Sequence, residues 1–177
     1  MQEILSLLLI AIALSMDTFS VSLSLGTANI PIEKGIFLSI TVGIMHFIMP
    51  ILGMLIGNII LKIIPFEHDF LVGIIFLTLA FKMIYDIFFE KEDTINLNYF
   101  GIFLFSISVS FDAFTTGIGL LVLTSNILLA TFIFMITSFT FTITGITLGK
   151  YVNQKIGKIS SIVGVIILLI MALYLII

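Results

Sequence analysis

The sequence predicts an all-α integral membrane protein: six transmembrane helices arranged as two three-helix repeats of inverted topology. Three observations lead there. Apolar residues make up 60% of the 177 positions and charged residues only 10%, against about 45–50% and about 25% in soluble domains. The apolar residues fall into six runs long enough to cross a bilayer core, which takes about 20 residues each. One polar motif inside the first run returns inside the fourth.

Mean hydropathy is +1.36, and no soluble domain of this size buries that much apolar surface. A soluble enzyme, a nucleic-acid binder and a disordered chain are therefore excluded. Seven lysines and no arginine leave no arginine-rich stripe for a phosphate backbone. The absence of cysteine rules out disulfides and thiolate metal sites. Eighteen phenylalanines suit lipid-facing helices, although the usual tryptophan belt is missing. A β-barrel fails because barrel strands are short and alternate, whereas these runs are long and continuous.

The first run covers about residues 4–25. It has no basic leader and no small-residue cleavage site, and it carries Asp17 inside, so it reads as a permanent helix rather than a secretory signal. Asn29, Pro31, Glu33 and Lys34 separate it from the second run, about 35–61. Pro65, Glu67, His68 and Asp69 precede the third, about 70–89. Residues 90–98 are the longest polar stretch and sit at the middle of the chain. The fourth run, about 99–124, meets the fifth, about 127–149, at Ser125–Asn126. Lys150 to Lys158 lead into the sixth, about 159–177.

Six spans put both termini on one side. The connections after the first, third and fifth helices carry Lys34, Lys91, Lys150, Lys155 and Lys158, and the opposite side carries only Lys62. The positive-inside rule then places those odd-numbered connections in the cytoplasm and both termini outside.

The repeat is carried by Ser15-Met-Asp-Thr-Phe19 and Ser110-Phe-Asp-Ala-Phe114, 95 residues apart, with Ser, Asp and Phe in register. The second and fifth helices share a pair of glycines four apart, Gly53 with Gly57 and Gly145 with Gly149. The third and sixth share Val72-Gly73 and Val163-Gly164. The chain thus reads as a single membrane domain of two repeats, about 1–89 and 99–177, joined by the loop 90–98. Three spans per repeat force the halves into opposite orientations, as in many secondary transporters with a midplane substrate site. Chance likeness among apolar segments is the alternative, but it does not readily supply two matched aspartates.

An aspartate inside a span costs about 2.5–3.5 kcal/mol by insertion scales, so Asp17 and Asp112 call for a partner or a hydrated cavity. Inversion brings both to matching depths. Two facing carboxylates repel; a divalent cation removes that penalty, and hard cations favour oxygen ligands. Ser20 and Thr115 lie one turn after each Asp on the same helical face, as supplementary oxygen donors. Ser15 and Ser110 point away from that face, toward helix carbonyls or a neighbouring helix. A protonated Asp pair that merely ties helices together is the competing reading.

On the second helix, His46, Met49, Pro50, Gly53 and Gly57 form one stripe. His46 is a candidate metal ligand or proton relay, with a hydrogen-bonded packing role as the alternative. The four glycines suit close helix contact. On the third helix Lys82 and Asp86 are four apart. They read either as an intrahelical ion pair reaching for the cytoplasmic surface or as a gate in which Lys82 pairs with an aspartate of the site when metal is absent. Thr137, Thr140, Thr144 and Thr147 share a face of the fifth helix, lining a hydrated path or bonding their own backbone.

At these residues the chain resembles the MntP family, named for manganese efflux in bacteria. The resemblance covers essentially all six helices. It rests on Leu14-Ser-Met-Asp-Thr-Phe-Ser-Val-Ser22, on Ser108-Val-Ser-Phe-Asp-Ala-Phe-Thr-Thr-Gly117, and on His46-Phe-Ile-Met-Pro-Ile-Leu-Gly-Met-Leu-Ile-Gly57. Lys82-Met-Ile84 and Gly145-Ile-Thr-Leu-Gly-Lys150 are also similar to family elements. The chain departs where His46 replaces an expected amide such as Gln, and where Ile170-Met-Ala-Leu173 lacks a second glycine.

The resemblance implies export of Mn²⁺ or a similar divalent cation across the cell membrane, with Asp17 and Asp112 as the central acidic residues. No Walker motif is present, so proton exchange or membrane potential is the expected drive. The expected partners are the divalent cation, coupling protons and the lipid bilayer, with a homodimer open and no nucleic acid. No permanently bound cofactor is expected. A related sporulation branch shares the Asp motifs and suggests a structural or regulatory membrane protein instead. An intramembrane aspartyl protease also uses two aspartates, but Tyr-Asp and Gly-x-Gly-Asp motifs are absent around Asp17 and Asp112, so no enzyme is expected.

Overall fold

The computed structural model describes residues 2–27, 30–63, 68–89, 98–151 and 155–176, and every element among them is an α-helix. In chain order these are α1 (Gln2–Thr27), α2 (Ile32–Ile63), α3 (His68–Phe89), α4 (Tyr99–Val109), α5 (Phe111–Leu123), α6 (Ile127–Gly149) and α7 (Lys155–Ile176). All six apolar runs are helical. The breaks at Asn29, Pro65 and Glu67 and the joint 90–97 lie outside the described residues. Asn98 caps α4 by accepting from the Gly101 amide at 2.6 Å, and Asn126 caps α6 by accepting from Leu129 N at 3.2 Å.

The fourth run holds two helical segments with a turn between them. The chain turns at Ser110, whose backbone lies at φ −89°, ψ 8°. Its amide is shared between Ser106 O and Ile107 O at 3.2 Å each, a tightening from the α toward the 3₁₀ pattern. Beyond it, the Ala113 amide donates to the Asp112 carboxylate at 2.7 Å. A side chain therefore captures a donor that an unbroken α-helix would send to a carbonyl four residues back. Neither proline nor glycine marks the place.

Among the described residues four stretches are apolar and long enough to cross a membrane: Glu3–Thr27, Ile32–Ile59, Tyr99–Leu120 and Ile127–Gly149. Helices α3 and α7 hold the shorter apolar stretches Val72–Tyr85 and Ser161–Ile176 within 22 residues each. At 1.5 Å per residue, 22 residues also match a hydrocarbon core of about 30 Å. The outside of the bundle is apolar. On α2 the row Ile32, Ile36, Ile40, Ile44, Ile48 and Leu52 is exposed. The opposite row, Leu38, Val42, His46, Pro50, Gly53 and Gly57, is buried. That is a helix apolar on both faces, and it suits a lipid surround.

Packing runs mainly between the halves of the chain. Helix α1 lies on α6, α2 on α5, and α3 on α7, with further contact of α2 with α6 and α1 with α7. Leu7, Ile10, Leu14, Phe76, Phe134 and Leu168 anchor the larger apolar core. Small residues set the tightest approaches. A methyl group on Gly53 would lie 2.0 Å from Phe114 O, and one on Gly57 2.8 Å from Ile118 O. Similarly, Gly145 would meet Phe19 O at 2.9 Å and Gly149 would meet Leu23 O at 2.2 Å. Phe19 and Leu23 are the residues that the 95-residue register equates with Phe114 and Ile118.

Candidate functional site

Asp17 is carried on the middle of α1 and is partly buried. Asp112 sits in the first turn of α5 and is 7% exposed. The turn at Ser110 therefore places its carboxylate at a helix N-terminus, where the backbone dipole favours negative charge. Both aspartates line one small cavity, together with Lys82 of α3 and the apolar side chains Leu14, Leu79, Met83 and Leu168. The fold thus gathers two carboxylates and one ammonium, from three helices, in otherwise apolar walls. Ser20, Thr115 and His46 do not line that cavity. Thr115 donates to Phe111 O of its own helix at 3.1 Å. The side chain of Asp86 lies outside the described residues.

His46 is completely buried on α2. Its Nδ1 lies 3.1 Å from Val42 O and 2.9 Å from Ser110 Oγ. Its Nε2 faces Asp112 Oδ1 at 4.0 Å. Ser15, in the equivalent register position on α1, meets Ser138 Oγ of α6 at 3.1 Å. Both serines therefore bind a neighbouring helix, as their orientation away from the Asp face requires. Thr41 and Ser106 add a further interhelical bond at 2.8 Å. The threonine row of α6 takes its benign form: Thr140, Thr144 and Thr147 donate to carbonyls of their own helix at 2.7 Å and lie exposed.

Ser138, the partner of Ser15, is a residue that the sequence reading did not single out. The Ser15–Ser110 register was the available signal. Its consequence, a hydroxyl bond from each half to the other, depends on packing. Among the described residues no group of three or more His, Asp or Glu side chains is poised to hold a metal.

The family model described as "Putative manganese efflux pump" matches residues 29–176. The chain belongs to the MntP family. A relative from Bacillus thuringiensis subsp. konkukian (strain 97-27), named "Putative manganese efflux pump MntP", is 31% identical over 175 residues, covering 98% of this chain and 96% of its own. One of the same name from Bacillus cereus (strain AH187) has the same identity and coverage. Another from Bacillus mycoides (strain KBAB4) is 30% identical over 176 residues, 99% and 97% of the two chains. No solved structure matches the chain. MntP membership and the apolar helices together make this a multi-pass membrane protein.

Proposed function

We propose that this MntP-family protein is a secondary transporter that exports Mn²⁺, or a similar divalent cation, across the cell membrane, with Asp17 and Asp112 binding the ion. The observation that carries this reading is the shared cavity: two costly carboxylates, 95 residues apart in sequence, line one space between helices. The relatives named for manganese efflux supply the ion. A site without a ready cage suits transport, which needs binding strong enough to load and weak enough to release.

The two halves are read as inverted repeats. Support comes from the exchange symmetry of the packing: α1 on α6 is mirrored by α2 on α5, glycine by glycine. A break beside the substrate site, as at Ser110, is a recurring feature of inverted-repeat transporters. Lys82 is the resident counter-cation. With both carboxylates ionised the empty cavity carries a net charge of −1, and a bound divalent ion would make it +1 unless the lysine leaves. Lys82 lines the cavity while much of its surface is exposed, so its ammonium is not enclosed with the ion. Protons competing for the same carboxylates, or the membrane potential, drive the cycle. The lysine asymmetry puts both termini outside.

The test is export from proteoliposomes loaded with Mn²⁺. The parent protein should release the ion, and Asp17→Asn or Asp112→Asn should abolish release while leaving the protein folded. Parent-rate release by both variants would make these residues structural.

A further inference from the structure

A buried imidazole nitrogen beside the ion site is left without a partner. His46 is completely buried, and its Nε2 is one of the buried polar atoms that lack a hydrogen-bond partner among the described residues. The other ring nitrogen fixes its state. Nδ1 lies 3.1 Å from Val42 O, and a carbonyl only accepts, so Nδ1 carries the hydrogen. Ser110 Oγ lies 2.9 Å from the same nitrogen. In the neutral ring Nε2 then presents a lone pair, and what it faces is Asp112 Oδ1, another acceptor, at 4.0 Å.

That gap is too long for a hydrogen bond, which ends near 3.2 Å. It is longer than the separation of two ligand atoms at right angles about one ion, about 3 Å for bonds of about 2.1 Å, so both side chains would close slightly on a shared cation. The surroundings also match how metal-binding histidines are held: the non-ligating N–H is anchored on a backbone carbonyl, which sets tautomer and ring orientation. Pro50, one turn on along the same face, is packed against Gly117 of α5, so the backbone that carries the ring is pinned to the helix that carries Asp112.

We infer that His46 Nε2 is a nitrogen ligand to the cation held at Asp112, and that it tunes the cargo toward transition metals. The inference rests on the ion site proposed above. Imidazole suits Fe²⁺, Ni²⁺, Cu²⁺ and Zn²⁺, whereas Mn²⁺, Mg²⁺ and Ca²⁺ sit best among oxygen donors. A nitrogen ligand also strengthens the ordinary rise in affinity from Mn²⁺ toward Co²⁺. An all-oxygen site discriminates less on both counts. The nitrogen therefore shifts the ranking of cargo ions toward Fe²⁺ and Co²⁺ and away from the hard alkaline-earth ions.

The experiment uses the purified full-length protein in detergent with Mn²⁺ as the probe. Pulsed electron paramagnetic resonance of bound Mn²⁺ should show modulation from one directly bonded ¹⁴N, and His46→Gln should remove it. Competition titrations should show the Co²⁺ over Mn²⁺ preference falling, and Mg²⁺ competing better, by about tenfold in that variant. Nitrogen-free spectra of Mn²⁺ bound to the unmutated protein overturn the inference, and this reading requires no variant to fold. An unchanged metal ranking in a folded His46→Gln protein overturns it as well. Asp112→Asn separates the two levels. Loss of all metal binding in Asp112→Asn alongside an unchanged ranking in His46→Gln sinks only the nitrogen ligand, whereas full binding in Asp112→Asn sinks the ion site itself.

Discussion

At the scale of single residues, charge decides. Asp112 holds its carboxylate 2.7 Å from the Ala113 amide at the start of α5, and it shares a cavity with Asp17 and Lys82. Replacing either aspartate by asparagine keeps size and much of the hydrogen bonding but removes a charge that a divalent ion needs. Isothermal titration of either variant should show Mn²⁺ affinity falling by at least about tenfold, the equivalent of 1.4 kcal/mol. In the parent protein Mn²⁺ binding should strengthen as pH rises, because protons and metal compete for the same oxygens and only the ionised carboxylate is a ligand. A Mn²⁺ affinity that does not fall on acidification would contradict that competition. Lys82→Gln acts with the opposite sign. Removing a positive charge beside the ion should tighten binding by roughly tenfold. It should also slow export, since the ammonium no longer helps to displace the cargo. Rapid-filtration efflux set against equilibrium binding separates the two effects, and weaker Mn²⁺ binding in Lys82→Gln would refute the counter-cation role.

At the scale of elements, backbone-to-backbone approach decides. Helix α2 touches α5 through Gly53, where an added methyl would stand 2.0 Å from Phe114 O. That neighbour is backbone and cannot rotate aside, so the helices must part. Overpacking of this sort costs typically about 1–3 kcal/mol. Gly53→Ala should therefore lower the melting temperature in detergent, and it should also reduce metal affinity because α5 carries Asp112. Gly35→Ala is the contrast on the same helix: its nearest contact is the Ile146 Cγ2 methyl at 3.3 Å, a side chain that can shift. Equal melting temperatures for the two variants would show that the α2–α5 contact is not as tight as the structure has it. The six apolar runs were legible because membrane helices are set by length and continuous apolarity. The glycine pairs were legible as close-contact motifs. Their partners were not, since a glycine four residues from another says that something comes near without saying what.

At the scale of the whole molecule, the lysine asymmetry predicts that the α6–α7 connection is cytoplasmic. The chain has no cysteine, so Gln154→Cys introduces a single label site. An impermeant maleimide should modify it only after cells are opened, and labelling of intact cells would invert the orientation. The architecture itself divides into two kinds of information. Fold class, helix number and the identity of the two matched aspartates came from sequence alone, because apolar length and a charge inside a span are one-dimensional quantities with large energies attached. The tertiary structure decided which of these residues meet. It brought Lys82 into the cavity of Asp17 and Asp112, left Ser20 and Thr115 off its wall, and turned Nε2 of His46 toward Asp112. It also broke the chain at Ser110 but not at Ser15, two serines that the sequence presents alike. The one bonds an imidazole of α2 and the other a hydroxyl of α6. Such differences come from the relative depth and rotation of neighbouring helices. Those are fixed by packing between residues tens of positions apart, and they leave no periodic trace along the chain.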